Sequence, residues 1–155
     1  MIIRLIREED AAACCGVINA CLTASKSMDK KTRFYLLSEN VAADFYAAIK
    51  EDYTLIAELH NQIVGVGAVH NDEIHHVYVS PDFQGYGIGE TLMLQLEAQA
   101  RESGVEKMTV HVDADTVKFF ETMGYESAGK SYHKVGFARL ERIKMYKHFS
   151  EAAAV

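Results

Sequence analysis

Two stretches of this chain carry residue types and spacings that could do chemistry. Gln84-Gly85-Tyr86-Gly87-Ile88-Gly89-Glu90 alternates three glycines between the only proline, Pro81, and a helical pattern. Glycine removes the side chains that would hold a ligand away from the backbone, and the first amides of a helix lack internal partners. The amides of Gln84, Gly85, Gly87, Ile88, Gly89 and Glu90 can therefore ring a phosphate or pyrophosphate. Just upstream, Glu73-Ile74-His75-His76 opens the strand that feeds this loop. Strand alternation puts Glu73 and His75 on one face, Ile74 and His76 on the other. Histidine exchanges protons near neutrality, and a carboxylate can do so when its surroundings raise its pKa, so Glu73 and His75 are the candidate bases. His76 reads as structural. No metal site is expected, because strand neighbours point apart and no further ligand lies at a suitable spacing.

Glycine loops occur in several families, and spacing separates them. A dinucleotide fingerprint needs glycine or alanine where Glu90 stands, near the start of a strand-helix-strand repeat. A P-loop needs Gly-Lys-Ser/Thr, whereas this loop ends Gly89-Glu90-Thr91. What remains, Gln84-x-x-Gly87-x-Gly89 after a Val77-x-Val79-x-Pro81 strand, resembles the coenzyme-binding motif of the GNAT superfamily of acetyl-CoA-dependent N-acetyltransferases. Downstream, Phe119-Phe120-Glu121-Thr122-Met123-Gly124-Tyr125 is similar to the segment that closes the family's second cofactor-contacting helix. The resemblance covers about residues 53 to 147.

The resemblance implies acetyl-CoA as cosubstrate, no metal, and direct attack by a primary amine of a small molecule or peptide in a ternary complex. The coenzyme-contacting set it implies is Val77, Tyr78, Val79, Gln84, Gly85, Tyr86, Gly87, Ile88, Gly89, Glu90, Asp113 and Phe120. The strand residues among these would pair with the pantetheine arm, and the Val79 amide would face the thioester oxygen. Glu73 falls where histone-type members carry a glutamate, and His75 where arylalkylamine-type members carry a histidine. Phe120 departs from the pattern, since members commonly place there a tyrosine that protonates the departing sulfur; Asp113 and Thr116 replace the usual asparagine and alanine. Tyr125, Tyr132 or a water are the substitute donors. These departures motivate an alternative reading, a non-catalytic acyl-CoA-binding regulatory module.

Positioning these groups requires a scaffold, and the pattern supplies an α/β one. Strands are expected at Ile2 to Ile6, Tyr53 to Leu59, Ile63 to Val69, Glu73 to Val79, Lys107 to Val112, Tyr125 to Tyr132 and Phe137 to Lys147. They form a mixed, mostly antiparallel central sheet of about seven strands with helices on both faces. Helices are expected from Glu8 to Leu22, in Thr32 to Leu37 and Glu39 to Lys50 with Ser38 as a cap between them, from Gly87 to Ser103, and in a short segment ending at Met123. Ser25 to Lys31 reads as loop and Glu151 to Val155 as a frayed tail.

The 155 residues fit one domain, with ordinary soluble composition and no apolar run long enough to span a membrane. The start reads as a strand rather than a signal peptide, and a cytoplasmic location is expected. Cys14, Cys15 and Cys21 fall in one helix, which suits reduced core thiols better than a disulfide or zinc framework. With 16 Lys and Arg against 22 Asp and Glu, the net charge of −6 argues against a nucleic-acid partner and leaves a cationic amine attractive. The oligomeric state stays open, with a homodimer among the alternatives.

Overall fold

The computed structural model describes residues 1–136 and 138–149. Phe137, at the expected start of the last strand, and the tail Glu151 to Val155 lie outside the described residues. Seven strands form one sheet: β1 (Ile2–Leu5), β2 (Tyr53–Leu59), β3 (Gln62–His70), β4 (Glu73–Val79), β5 (Lys107–Val112), β6 (Glu126–Val135) and β7 (Ala138–His148). Their order is β1-β2-β3-β4-β5-β7-β6. Only β4 and β5 run parallel; every other neighbouring pair is antiparallel.

Alternating side chains feed two cores, one on each face of the sheet. On one side lie α4 (Ile88–Glu102) and α5 (Val117–Thr122), whose Ile88, Leu92, Met93, Leu96 and Phe120 pack with Leu55, Val64, Val110 and Met145. Close approach of α4 requires glycine in β3: a Cβ on Gly67 would sit 2.9 Å from Leu96 Cδ1. The other face is covered by α1 (Ala11–Ala24), α2 (Lys30–Glu39) and α3 (Ala42–Ile49), where Cys14, Ile18, Phe45 and Ile49 pack on Ile56, Val66 and Leu140. This is the mixed sheet covered on both faces that the pattern predicts.

Local capping chemistry moves several boundaries. Glu8–Asp10 form a 3-10 turn before α1, because Asp10 turns back: its Oδ2 accepts the Arg7 amide at 2.7 Å, and its carboxylate also meets the Arg4 guanidinium. α2 begins at Lys30, inside the segment expected to be loop, because the Asp29 side chain accepts the Thr32 amide at 2.7 Å. Ser38 does not cap the next helix. Its hydroxyl donates to the Tyr35 carbonyl at 2.6 Å and α2 runs on to Glu39, while α3 starts behind Val41 with no side-chain cap.

Candidate active site

The gap that could hold a ligand begins where β4 leaves β5. These strands pair only at Glu73–Thr109 and Ile74–Val110, then diverge. On its other side β4 stays bonded to β3, where the Ser80 amide donates to the Val64 carbonyl at 2.8 Å and Val79 faces Gly65. That bond makes Val79–Gly65 a non-hydrogen-bonded pair, so the amide and carbonyl of Val79 turn away from β3, as do those of Val77 two residues back. Both therefore project into the gap, whereas the backbone of Tyr78 bonds across to β3. The Val79 carbonyl accepts from Cys21 Sγ and from Gln84 Nε2, each at 3.1 Å.

Beyond Val79, a 3-10 turn at Pro81–Phe83 leads into the glycine loop and α4. Gly85 and Gly87 have φ of +87° and +78°, and a Cβ on either would meet nothing within 4 Å. Their glycines thus answer to backbone conformation and leave open space above the loop. The Thr91 amide is the first of α4 to bond backward, to Gly87 O at 3.0 Å, so the amides of Ile88, Gly89 and Glu90 stand ahead of the ladder at the positive helix end. Gly89 is different: a Cβ there would press on the Phe119 ring at 3.3 Å. Tyr86 sits exposed at the crest of the loop. The cavity over this loop is about 470 Å³ and reaches from Val77 and Val79 to Phe119 and Phe120.

A second cavity of about 440 Å³ adjoins it, sharing Val77, Val79, Gln84 and Phe120, and opens toward α1 and the loop after it. Here the expected alternation of β4 fails. Ala68 pairs with His76 and Val69 with Ile74, so His75 is an extra residue in a β-bulge. Ile74 is buried on the α4 side, while the His76 ring meets Phe45 on the opposite side at 5.8 Å. Ile74 and His76 therefore do not share a face. His75 donates or accepts through Nδ1 at Asp52 Oδ2, 2.9 Å away, and His70 uses the other Asp52 oxygen at the same distance. The Glu73 side chain has no hydrogen bond among the described residues; its carboxylate lies 3.8 Å from His111 Nε2, on β5. His111 Nδ1 in turn meets Ser131 Oγ at 2.9 Å.

His76, read as structural, lines this cavity. Its Nδ1 is buried without a hydrogen-bond partner among the described residues, and burial, with the neighbouring His75, pushes its pKa down to about 4. Cys21 was also read only as a core thiol, yet it too lines the cavity. Burial raises its pKa to about 11, so it is a neutral S–H donor to Val79 rather than a thiolate. The bulge that turns His76 toward the cavity leaves no mark in composition; the Cys21 contact depends on how α1 crosses β4.

The family model for the acetyltransferase (GNAT) domain matches residues 22–148. The chain belongs to the GNAT family. Uncharacterized N-acetyltransferase ycf52 of Porphyra purpurea is 34% identical over 55 residues, which span 36% of this chain but only 32% of that protein. Among solved structures, one described as a GCN5-related N-acetyltransferase, "Aminotransferase, Class-II", from Rhodopseudomonas palustris superposes with a TM-score of 0.91 at 26% identity, covering 96% of this chain and 95% of that one. The fold also matches yncA of Salmonella typhimurium, solved with its cofactor acetyl-CoA, at a TM-score of 0.70 and 22% identity, over 97% and 95% of the two chains.

Rings surround Phe120, where the resemblance leads to the expectation of a sulfur-protonating tyrosine. Phe120 is buried, edge-on to Phe119 at 5.2 Å and to Tyr125 at 5.5 Å. Neither tyrosine named as a substitute donor is placed for the task. The Tyr125 hydroxyl donates to the buried Glu97 Oε2 at 2.7 Å, and burial beside that carboxylate pushes its pKa well up. Tyr132 lies on β6 with the Arg139 guanidinium 3.9 Å above its ring, and it lines neither cavity. Asp113 directs its carboxylate toward Arg142 of β7, Nε to Oδ1 3.6 Å. Thr116 folds its hydroxyl back to the Asp113 carbonyl at 3.0 Å. Among the described residues no cluster of three or more His, Cys, Asp or Glu could hold a metal, and no helix is long and apolar enough to cross a membrane.

Proposed function

We propose that the chain is a single-domain N-acetyltransferase that moves the acetyl group of acetyl-CoA to a primary amine of a small molecule or peptide by direct attack in a ternary complex. The observation that carries this reading is the parting of β4 from β5, which turns the amides of Val77 and Val79 into a cleft ending on the glycine loop and the first turn of α4. The shape fits the coenzyme. Open space over Gly85 and Gly87 admits a pyrophosphate to the loop amides, and the exposed edge of β4 can pair with an amide-bearing arm as with an added strand. The Val79 amide then faces the thioester oxygen, where it stabilises the negative charge that develops as the amine adds to the carbonyl carbon.

The adjoining cavity takes the acceptor. Its ammonium first loses a proton, directly or through water, to His75 or Glu73. Asp52 fixes His75 by Nδ1, which sets the tautomer and leaves Nε2 as the nitrogen without a protein partner among the described residues. The amine lone pair then adds to the carbonyl carbon, the carbonyl re-forms as the carbon–sulfur bond breaks, the sulfur leaves with the bonding pair, and the nitrogen gives its second proton to water, leaving the amide. A thiol pKa of about 8.5 makes the thiolate a tolerable leaving group near neutrality, so the absence of a hydroxyl at Phe120 slows the reaction without stopping it. Water is the remaining donor to the sulfur.

The test is free-thiol release from acetyl-CoA across a panel of amines, repeated with Glu73→Gln and His75→Ala. Each substitution is expected to lower kcat about tenfold to a thousandfold, with little change in coenzyme affinity. Full turnover in both variants would remove these side chains from the mechanism. Coenzyme binding without thiol release for any amine would favour the non-catalytic acyl-CoA-binding module to which the sealed Phe120 points.

A further inference from the structure

The acceptor side of the site holds a guanidinium that the transfer reaction does not use. Arg142 stands on β7 beyond the last β5 pairing, Val112–Ile143, and lines the acceptor cavity opposite Val77 and Val79. Its Nε is buried and has no hydrogen-bond partner among the described residues. The Asp113 oxygen at 3.6 Å is an ion-pair neighbour and too far for a hydrogen bond. Burial pushes the Asp113 carboxyl upward in pKa despite the facing guanidinium.

Of the other charges lining this cavity, Lys26 adds a second cation, while Asp115 is committed. Asp115 Oδ2 accepts from the Ser25 hydroxyl at 2.9 Å, from the Lys26 and Ser27 amides at 3.1 and 3.2 Å and from the Ser27 hydroxyl at 3.0 Å. The imidazoles of His76 and His111 are both held toward their neutral forms by burial. Arg142 is thus a partly exposed cation whose buried Nε has no hydrogen-bond partner among the described residues, in a cavity sized for a small molecule. A buried donor of this kind is costly unless something completes it, and the fork matches a carboxylate.

Building on the transferase reading, we propose that Arg142 is the receptor for a carboxylate on the acceptor. The substrate is then a small amine that also carries a carboxylate, as an amino acid does. It lies across the cleft with the carboxylate on the β7 wall and the amine toward the Val79 amide on the β4 wall. Specificity of this kind is steep, because an acceptor lacking the carboxylate leaves the buried Nε unpaired.

The experiment pairs each common amino acid with its primary amide as acceptors for the purified chain and acetyl-CoA, read by free-thiol release. At least one acid should exceed its amide about tenfold or more in kcat/KM. Arg142→Gln should raise KM and lower kcat/KM for that acid by about tenfold to a hundredfold, down to the level of the amide. The variant should keep the rise in Tm given by acetyl-CoA, which separates loss of recognition from loss of the fold. Acids and amides used equally well, or an acid preference surviving in R142Q, overturns the carboxylate receptor and leaves the transferase reading standing. Failure of every acceptor to release thiol overturns the transferase reading instead. Calorimetric binding of the same acids and amides to the coenzyme A complex then still decides the receptor: tighter acids uphold it, and equal affinities overturn it.

Discussion

Substitution at Gly87 should separate what the glycine loop does for the fold from what it does for the ligand. Gly87 has φ +78° and open space where a Cβ would point, so alanine there costs backbone strain alone, about 1–2 kcal/mol. For a chain of this size that lowers Tm by roughly 2–8 °C. Aspartate enters the left-handed region more readily than alanine, so Gly87→Asp should be the more stable variant of the two. For the coenzyme the order reverses. A carboxylate about 4 Å from one phosphate charge repels it by about 4 kcal/mol at surface-like screening, roughly a thousandfold in affinity, whereas the alanine methyl adds only bulk. Thermal unfolding with and without graded acetyl-CoA reads both quantities, because a ligand that binds only the native state raises Tm with its concentration. A wild-type coenzyme shift in the aspartate variant, or a greater loss of affinity in the alanine variant, would refute the placement of the pyrophosphate over this loop.

Tyr125→Phe should cost about 1–3 kcal/mol of stability by removing the buried hydroxyl from Glu97, seen in urea unfolding, with turnover unchanged; lost turnover at full stability would make Tyr125 the sulfur's proton donor after all. His76 sets a slope of stability with pH. Its pKa falls from 6.5 to about 4 on folding, so the unfolded chain takes up a proton that the folded chain refuses. Its contribution is complete above pH 6.5 and is lost as pH falls toward 4, worth about 2–3 kcal/mol by pH 4.5. Urea unfolding at pH 7.5 and 4.5 should show a smaller pH difference in His76→Phe than in the native chain; equal differences would mean that His76 is hydrated.

The sheet, its order of elements and the coenzyme loop were legible because they are written locally. The apolar run in Tyr53–Leu59, a left-handed turn at Asn71, and the stripe Ile88, Leu92, Met93, Leu96 each declare themselves within a few residues. Capping was less legible: Asp29 starts α2 inside the segment expected to be loop, and Ser38 bonds back to Tyr35 rather than forward. The acceptor side was harder to read. Asp52, Cys21, Arg142 and Asp115 come from four separate segments and meet only through the crossing of α1 over the sheet and the pairing of β7 beside β5. No spacing in a single sequence encodes such meetings.

The bulge at His75 makes β4 a strand read in two frames. Up to Ile74 one parity faces α4, and from His76 onward the same side is reached by the other parity. A relative one residue shorter here would lose the bulge and return β4 to a single parity, with almost unchanged composition. Chain length in this hairpin, more than residue identity, would then decide which imidazole is available to the reaction, and two proteins that align without a gap in β4 share that choice even where the histidines themselves differ.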